Sequence, residues 1–299
     1  MSRIVVLGDV MVDVVARLDG PLAYASDAPA RIAFHGGGSA ANTAAWLAYA
    51  GARPVLVGRV GDDERGRAAA ADLEAAGVEV RLAVDGERST GTCIVLVGPD
   101  GERTMVPDPG ANDGLAAGDL SDELLGSGGH LHVGGYSLLR AGSRPAAEAA
   151  IARACDRRVT VSVDPSSSAL LSRGFLAAAE GAGLLLPNVA EARALTGGQD
   201  IEAAARHLAE QFPEVVVTLG AEGALWTDGR DVVRTPAAAL GEADGGGEGG
   251  VVDATGAGDA FAAGLLAARA GGADPAEALA AGCRLGARAV GTPGGRPAR

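Results

Sequence analysis

The chain reads as an α/β fold, with a mostly parallel central sheet covered by helices on both faces and a small β-sheet lid beside it. Three observations lead there. Short apolar runs alternate with longer Ala- and Leu-rich runs along 299 residues. Two stretches, 12–33 and 89–107, carry strand character without a helical run between their strands. No internal repeat and no linker breaks the pattern, so residues 1–299 are expected to form one domain.

Strand candidates are residues 3–7, 54–57, 93–97, 130–133, 159–163, 183–186, 214–219 and 223–226. Helix candidates are 40–50, 64–76, 145–155, 201–211, 259–269 and 275–290. The strands are mostly apolar, as expected where helices cover both faces of a sheet. The lid candidates differ: 89–107 reads as a hairpin about Gly98-Pro99-Asp100-Gly101, and 12–33 is charged and punctuated by proline. The low-complexity run 241–250, GEADGGGEGG, reads as a mobile loop.

Composition narrows the function. Hydrophobic residues make up 47% and aromatics only 3%, so Ala, Val and Leu must fill the core. A net charge of −13 and a pI near 4.7 argue against nucleic acid or an anionic membrane as partner. All 25 basic residues are Arg, which excludes a lysine-bearing P-loop and a Schiff-base lysine. Cys93, Cys155 and Cys283 are widely spaced and suggest reduced thiols rather than a disulfide framework or zinc site. With no signal pattern and no apolar run approaching the ~20 residues of a membrane span, a soluble cytoplasmic protein is expected.

The most informative segment is Asp253-Ala254-Thr255-Gly256-Ala257-Gly258-Asp259. Small residues there form a tight turn into an apolar helix. The backbone N–H groups of Gly256, Ala257 and Gly258 can converge on an anion at the helix N-terminus. A carboxylate beside a phosphate is unfavourable unless it has a chemical task. For Asp259 that task is accepting the proton of a hydroxyl attacking phosphorus. Upstream, Gly36-Gly37-Gly38-Ser39-Ala40-Ala41-Asn42 lets a ligand approach the backbone closely, and Asn42 offers a donor and an acceptor to a hydroxyl-rich molecule. Asn188 and Glu191 have the spacing of a capping box, which alone would explain them.

These strings, in this order, resemble the ribokinase-like (PfkB) carbohydrate kinases from about residue 3 to 295. The resemblance implies a three-layer α/β/α kinase with ATP and Mg²⁺ as cofactors, and it admits a monovalent cation such as K⁺. It places Asp13, Gly37, Gly38, Asn42 and Asn112 at the sugar. Asn188, Thr218, Gly220, Asp253 and Thr255 fall at the nucleotide, and Glu191, acting through water, and Asp164 at the metal. Relatives that pair through their lids imply a homodimer.

Ribose, fructose, a keto-deoxy sugar acid, or a nucleoside of the pseudouridine or adenosine type all remain open as acceptors. Arg103, in the lid hairpin, is a candidate contact for an anionic substrate, although a hairpin arginine is ordinarily a solvated one. A Rossmann oxidoreductase is excluded because no GxGxxG follows the first strand. A non-catalytic ligand sensor would need Asp259 or its glycine turn to be lost, and both are intact. The four histidines show no metal spacing and are expected to pack.

Overall fold

The computed structural model describes residues 3–126, 128–172, 174–239 and 253–298. The proposed loop 241–250 lies outside the described residues. The strands are β1 (Ile4–Leu7), β2 (Met11–Leu18), β3 (Ala30–Gly37), β4 (Pro54–Gly61), β5 (Glu79–Asp85), β6 (Gly91–Val97) and β7 (Arg103–Asp108). They continue with β8 (His130–Gly134), β9 (Thr160–Asp164), β10 (Leu184–Leu185), β11 (Glu214–Thr218), β12 (Ala224–Thr227) and β13 (Val232–Thr235). The helices are α1 (Ser39–Tyr49), α2 (Glu64–Ala75), α3 (Tyr136–Leu139), α4 (Arg144–Asp156) and α5 (Gly174–Ala178). After them come α6 (Val189–Thr196), α7 (Ile201–Leu208), α8 (Ala257–Ala270) and α9 (Pro275–Val290).

Nine strands form the large sheet in the order β13-β12-β11-β10-β9-β8-β1-β4-β5. Pairing is parallel from β5 to β11 and antiparallel only at the β11–β12 and β12–β13 edge. Alternate residues of β1 feed opposite cores, as the period of a strand demands. Val5 and Leu7 pack with α4 and α7, whereas Ile4 and Val6 pack with α1, α8 and α9. The low aromatic content is matched by close helix packing: a Cβ on Gly264 of α8 would lie 2.6 Å from the Ala281 carbonyl of α9. Two of the four histidines pack inside, His130 and His132 sharing the Ser162 hydroxyl at 2.7 and 2.8 Å, whereas His207 is exposed beside Glu210.

The small sheet has the order β3-β2-β6-β7 and is built from the two stretches that broke the strand–helix alternation. Residues 93–97 lie in this sheet, within the lid stretch 89–107, where β6 pairs in parallel with β2. One face of this sheet is buried through Met11, Cys93, Val95 and Val97, with Val15 packed against them. The opposite face carries Phe34, Val14, Ile94 and Val106 in one cross-strand row. Of these, Phe34 is 68% exposed and Val106 54%.

Two strands were missed in the sequence. Both β5 and β13 are edge strands with mixed, half-exposed patterns, so neither shows an apolar run.

Candidate active site

Five of the parallel strands, β1, β8, β9, β10 and β11, deliver their carboxyl ends to one cavity of about 420 Å³, where open α/β sheets bind ligands. The loop after β1 brings Asp9, β9 ends in Asp164, the turn after β10 leads to Asn188 and Glu191, and β11 ends in Thr218. The small sheet adds Met11, Asp13, Cys93, Arg103, Met105 and Pro107 to the wall, and the turn into α8 adds Thr255, Gly256, Gly258 and Asp259. A second cavity of about 580 Å³ adjoins it, sharing Thr218, Gly258 and Phe261, and is lined by Gly220, Ala237, Ala257, Cys283 and Val290.

Asp259 sits in the first turn of α8. The Ser39 hydroxyl donates to its Oδ1 at 2.7 Å and the Asn42 amide to its Oδ2 at 3.0 Å. The two glycine-rich elements therefore meet at this carboxylate. Burial, with Asp164 and Asp9 nearby, pushes the Asp259 carboxyl up to about 7, even though the Ser39 and Asn42 donors work in the opposite direction. Gly256 is the N-cap of α8 with φ of 74°, and a Cβ there would lie 2.4 Å from the Gly295 carbonyl oxygen. A Cβ on Gly258 would meet nothing within 4 Å, which leaves the mouth of the helix bare toward the cavity.

Asp13 is buried opposite, on β2, and burial first, with Asp9 and Asp253 in support, raises its carboxyl to about 6. The Arg296 guanidinium moderates that rise. A Cβ on Gly37 would lie 2.3 Å from Asp13 Oδ1, so glycine is needed for this carboxylate to occupy its place. Gly38 adopts φ of 90°, and its missing Cβ makes room for the Asp9 carbonyl.

Asn188 and Glu191 do form a capping box, with Asn188 N–H donating to Glu191 Oε2 at 2.8 Å and Glu191 N–H donating to Asn188 Oδ1 at 2.9 Å. The buried Glu191 carboxyl nevertheless lines the cavity, and burial raises its pKa. Burial and Glu191 push Asp164 up to about 7, while its Oδ1 accepts the Ser166 N–H at 2.6 Å.

Two expectations need correction. Asn112 is not in the cavity wall: its amide donates to the carbonyls of Val10 and Pro109 at 3.0 and 2.8 Å, and its Oδ1 accepts Val10 N–H at 2.9 Å. It braces the start of the small sheet. Asp253 is likewise committed, accepting the N–H groups of Thr255 at 2.7 Å and Gly294 at 3.1 Å. Burial alone would raise its carboxyl, but those donors and the nearby Arg103 hold it below the usual range.

Asp9, Arg140 and Arg296 were missed. Asp9 accepts the N–H groups of Ser39 and Ala40 at 3.3 and 3.2 Å, at the start of α1. Its position just beyond a strand's carboxyl end was the available signal. Arg296 donates to the Gly37 carbonyl at 2.9 Å and to Asn42 Oδ1 at 3.3 Å, contacts that no local pattern announces.

The family model for pfkB family carbohydrate kinases matches residues 1–298. An ATP-dependent ribose-1-phosphate kinase from Halopiger xanaduensis is 33% identical, spanning 100% of this chain and 95% of that relative. Among solved structures, an adenosine kinase from Sinorhizobium meliloti superposes with a TM-score of 0.88 at 27% identity, covering 100% of this chain and 96% of that one. A fructokinase from Vibrio cholerae O395, bound to fructose, ADP and calcium, gives a TM-score of 0.81 at 29% identity, with 99% and 94% covered. The chain belongs to the pfkB family of carbohydrate kinases, ATP-dependent phosphotransferases that act on a sugar hydroxyl.

Proposed function

We propose that Asp259 is the base that deprotonates the acceptor hydroxyl. The observation that carries this is a carboxyl held near pKa 7 at a helix N-terminus, with both oxygens positioned by Ser39 and Asn42. As the hydroxyl oxygen bonds to the γ-phosphorus, the bond from that phosphorus to the β–γ bridging oxygen breaks. ADP leaves with that electron pair, and the hydroxyl proton ends on Asp259. The N–H groups of Gly256, Ala257 and Gly258 hold the charge on the transferring phosphoryl group. Asp13 and Asn42 take acceptor hydroxyls, with Gly37 and Gly38 giving the backbone clearance. Asn188, Thr218, Gly220 and Thr255 line the nucleotide side, whose base fits the adjoining cavity.

The metal is read as Mg²⁺, which keeps several waters and needs few protein ligands. The donor set suits it: Asp164 and Glu191 face one cavity, and among the described residues no group of three or more His, Cys, Asp or Glu forms a ready cage. Bound there through water, it would offset the charge of the phosphates. The small sheet, formed by residues 12–33 and 89–107, acts as a lid on a single domain spanning 1–299. Its exposed row of Phe34, Val14, Ile94 and Val106 fits a second copy of the chain, giving a homodimer. The free thiols suit the reducing cytoplasm.

The test is acceptor-dependent ADP release from ATP across sugars and nucleosides, with and without Mg²⁺ and K⁺. A protein that releases no ADP in response to any acceptor would sink the reading.

A further inference from the structure

We propose that the sugar accepted here carries an anionic group of its own, a phosphate ester or a carboxylate, and that Arg140 is the residue that reads it. This rests on the kinase reading above and concerns the acceptor half of the same cavity. That half is bounded by Met11, Asp13 and Met105 on the small-sheet side and by Tyr136 and Arg140 beyond β8. Apart from Arg103, the other ionisable groups lining the cavity are mostly acids, among them Asp9, Asp13, Asp164 and Asp259, so an anionic acceptor needs a dedicated cation.

The arginines around the cavity differ in what they hold. Arg103 is spent on Asp253 and Thr255. Arg296 holds the Gly37 carbonyl and Asn42. Among the described residues Arg140 makes no side-chain hydrogen bond and only a long 3.9 Å ion-pair contact with Asp113, although its side chain is only 17% exposed. Its guanidinium carbon lies 5.1 Å from the Tyr136 ring centroid, a stacking that orients the plane without using any N–H group.

The nearest acid is Asp113, whose Oδ1 is 3.9 Å from Arg140 Nε, beyond hydrogen-bond reach. That oxygen is the one buried side-chain polar atom among the described residues that lacks a hydrogen-bond partner. The Asp113 side chain is itself 40% exposed, but a guanidinium this close to a carboxylate oxygen that is buried ordinarily closes into a charge-assisted pair. Here it stops short of one on the Nε edge, and Arg140 lines the cavity with no side-chain hydrogen bond at its terminal nitrogens among the described residues. A neutral sugar leaves that fork without a counter-charge. A phosphate or carboxylate fills two of its N–H positions at once.

The alternative is that Arg140 merely balances the acids of the site. In that case its loss would affect every acceptor alike.

The experiment compares a neutral pentose, its phosphate monoester and the corresponding sugar acid as acceptors. ATP is the donor, with wild type, Arg140→Met and Arg140→Lys assayed in parallel. Wild type should use one of the two anionic acceptors at least ~10-fold better in kcat/KM than the neutral one, and the phosphate and acid arms show which anion it is. Arg140→Met should cost ~10- to 100-fold with that acceptor, mostly in KM, as for a lost hydrogen bond to a charged group. The neutral sugar should change little. Arg140→Lys, which keeps the charge but not the fork, should fall between and provides a variant should Met fail to fold.

A neutral sugar used as well as both its anionic counterparts, or equal losses across all acceptors, overturns the proposal. An enzyme active on neutral sugars alone would still be a kinase. Only the absence of acceptor-dependent ADP release with every compound removes the kinase reading as well.

Discussion

Arg103 of the small sheet forms an ion pair with Asp253 of the phosphate-side turn at 2.6 Å, and its other nitrogen reaches the Thr255 hydroxyl. The two segments are far apart in sequence and belong to the two walls of one cavity. The small sheet is thereby fastened to the turn whose backbone faces the phosphates.

Replacing Arg103 with Met should loosen that fastening while leaving the turn folded, because Asp253 still accepts the N–H groups of Thr255 and Gly294. We expect kcat/KM to fall on the order of tenfold, equivalent to about 1.4 kcal/mol, with the acceptor KM carrying most of it. Steady-state kinetics with wild-type values would show that the ion pair is incidental to the reaction.

Asp259→Asn should fold normally and lose ~10²- to 10⁴-fold in turnover, the usual range for a positioned base. In the wild type, kcat/KM should rise with pH through about 7, where the carboxyl loses its proton. A pH–rate profile that is flat across neutrality, or an Asn variant with near-normal kcat, would leave Asp259 as a helix-start residue only.

Stability should show the same raised carboxyls with the opposite sign. Asp164 has a pKa of about 7 in the fold against an ordinary 3.8. The native state therefore binds a proton that the unfolded chain releases, and the resulting stability is complete below about pH 4 and is lost as pH rises toward 7. Asp164→Asn removes this term, so its Tm should fall less than that of the wild type over that interval. Parallel melting curves for the two proteins would refute the shift.

Glu191→Gln should keep the capping box, since Gln can still accept the Asn188 N–H. We expect the Mg²⁺ concentration for half-maximal activity to rise ~10- to 100-fold, as when an outer-sphere partner of a metal is altered. An unchanged magnesium titration together with unchanged stability would reduce Glu191 to its helix-capping role.

Local chemistry was legible in the sequence where backbone geometry carries it. The glycines before Asn42 and Asp259 announce close approach whatever the tertiary context, and the two side chains meet despite lying 217 positions apart. Asn112 shows the limit: its residue type suits a hydroxyl ligand, yet its hydrogen-bonding capacity goes to Val10 and Pro109, a choice made by a distant strand. The parallel β2–β6 pairing that joins the two lid stretches is equally invisible to a hydropathy pattern. Arg140 and Arg296 acquire meaning only from what surrounds them.

The exclusive use of arginine has a consequence for how the enzyme titrates. Guanidinium groups in general keep their charge where a lysine ammonium would lose it, and the chain has no lysine. Tyr136, pushed up to about 12 by burial, is equally silent. Cys93 of the cavity wall, raised to about 11 by burial, is the first of these to lose a proton. The activity profile should climb on its acidic side and then hold level to about pH 11. A decline below that would belong to the substrates or to unfolding.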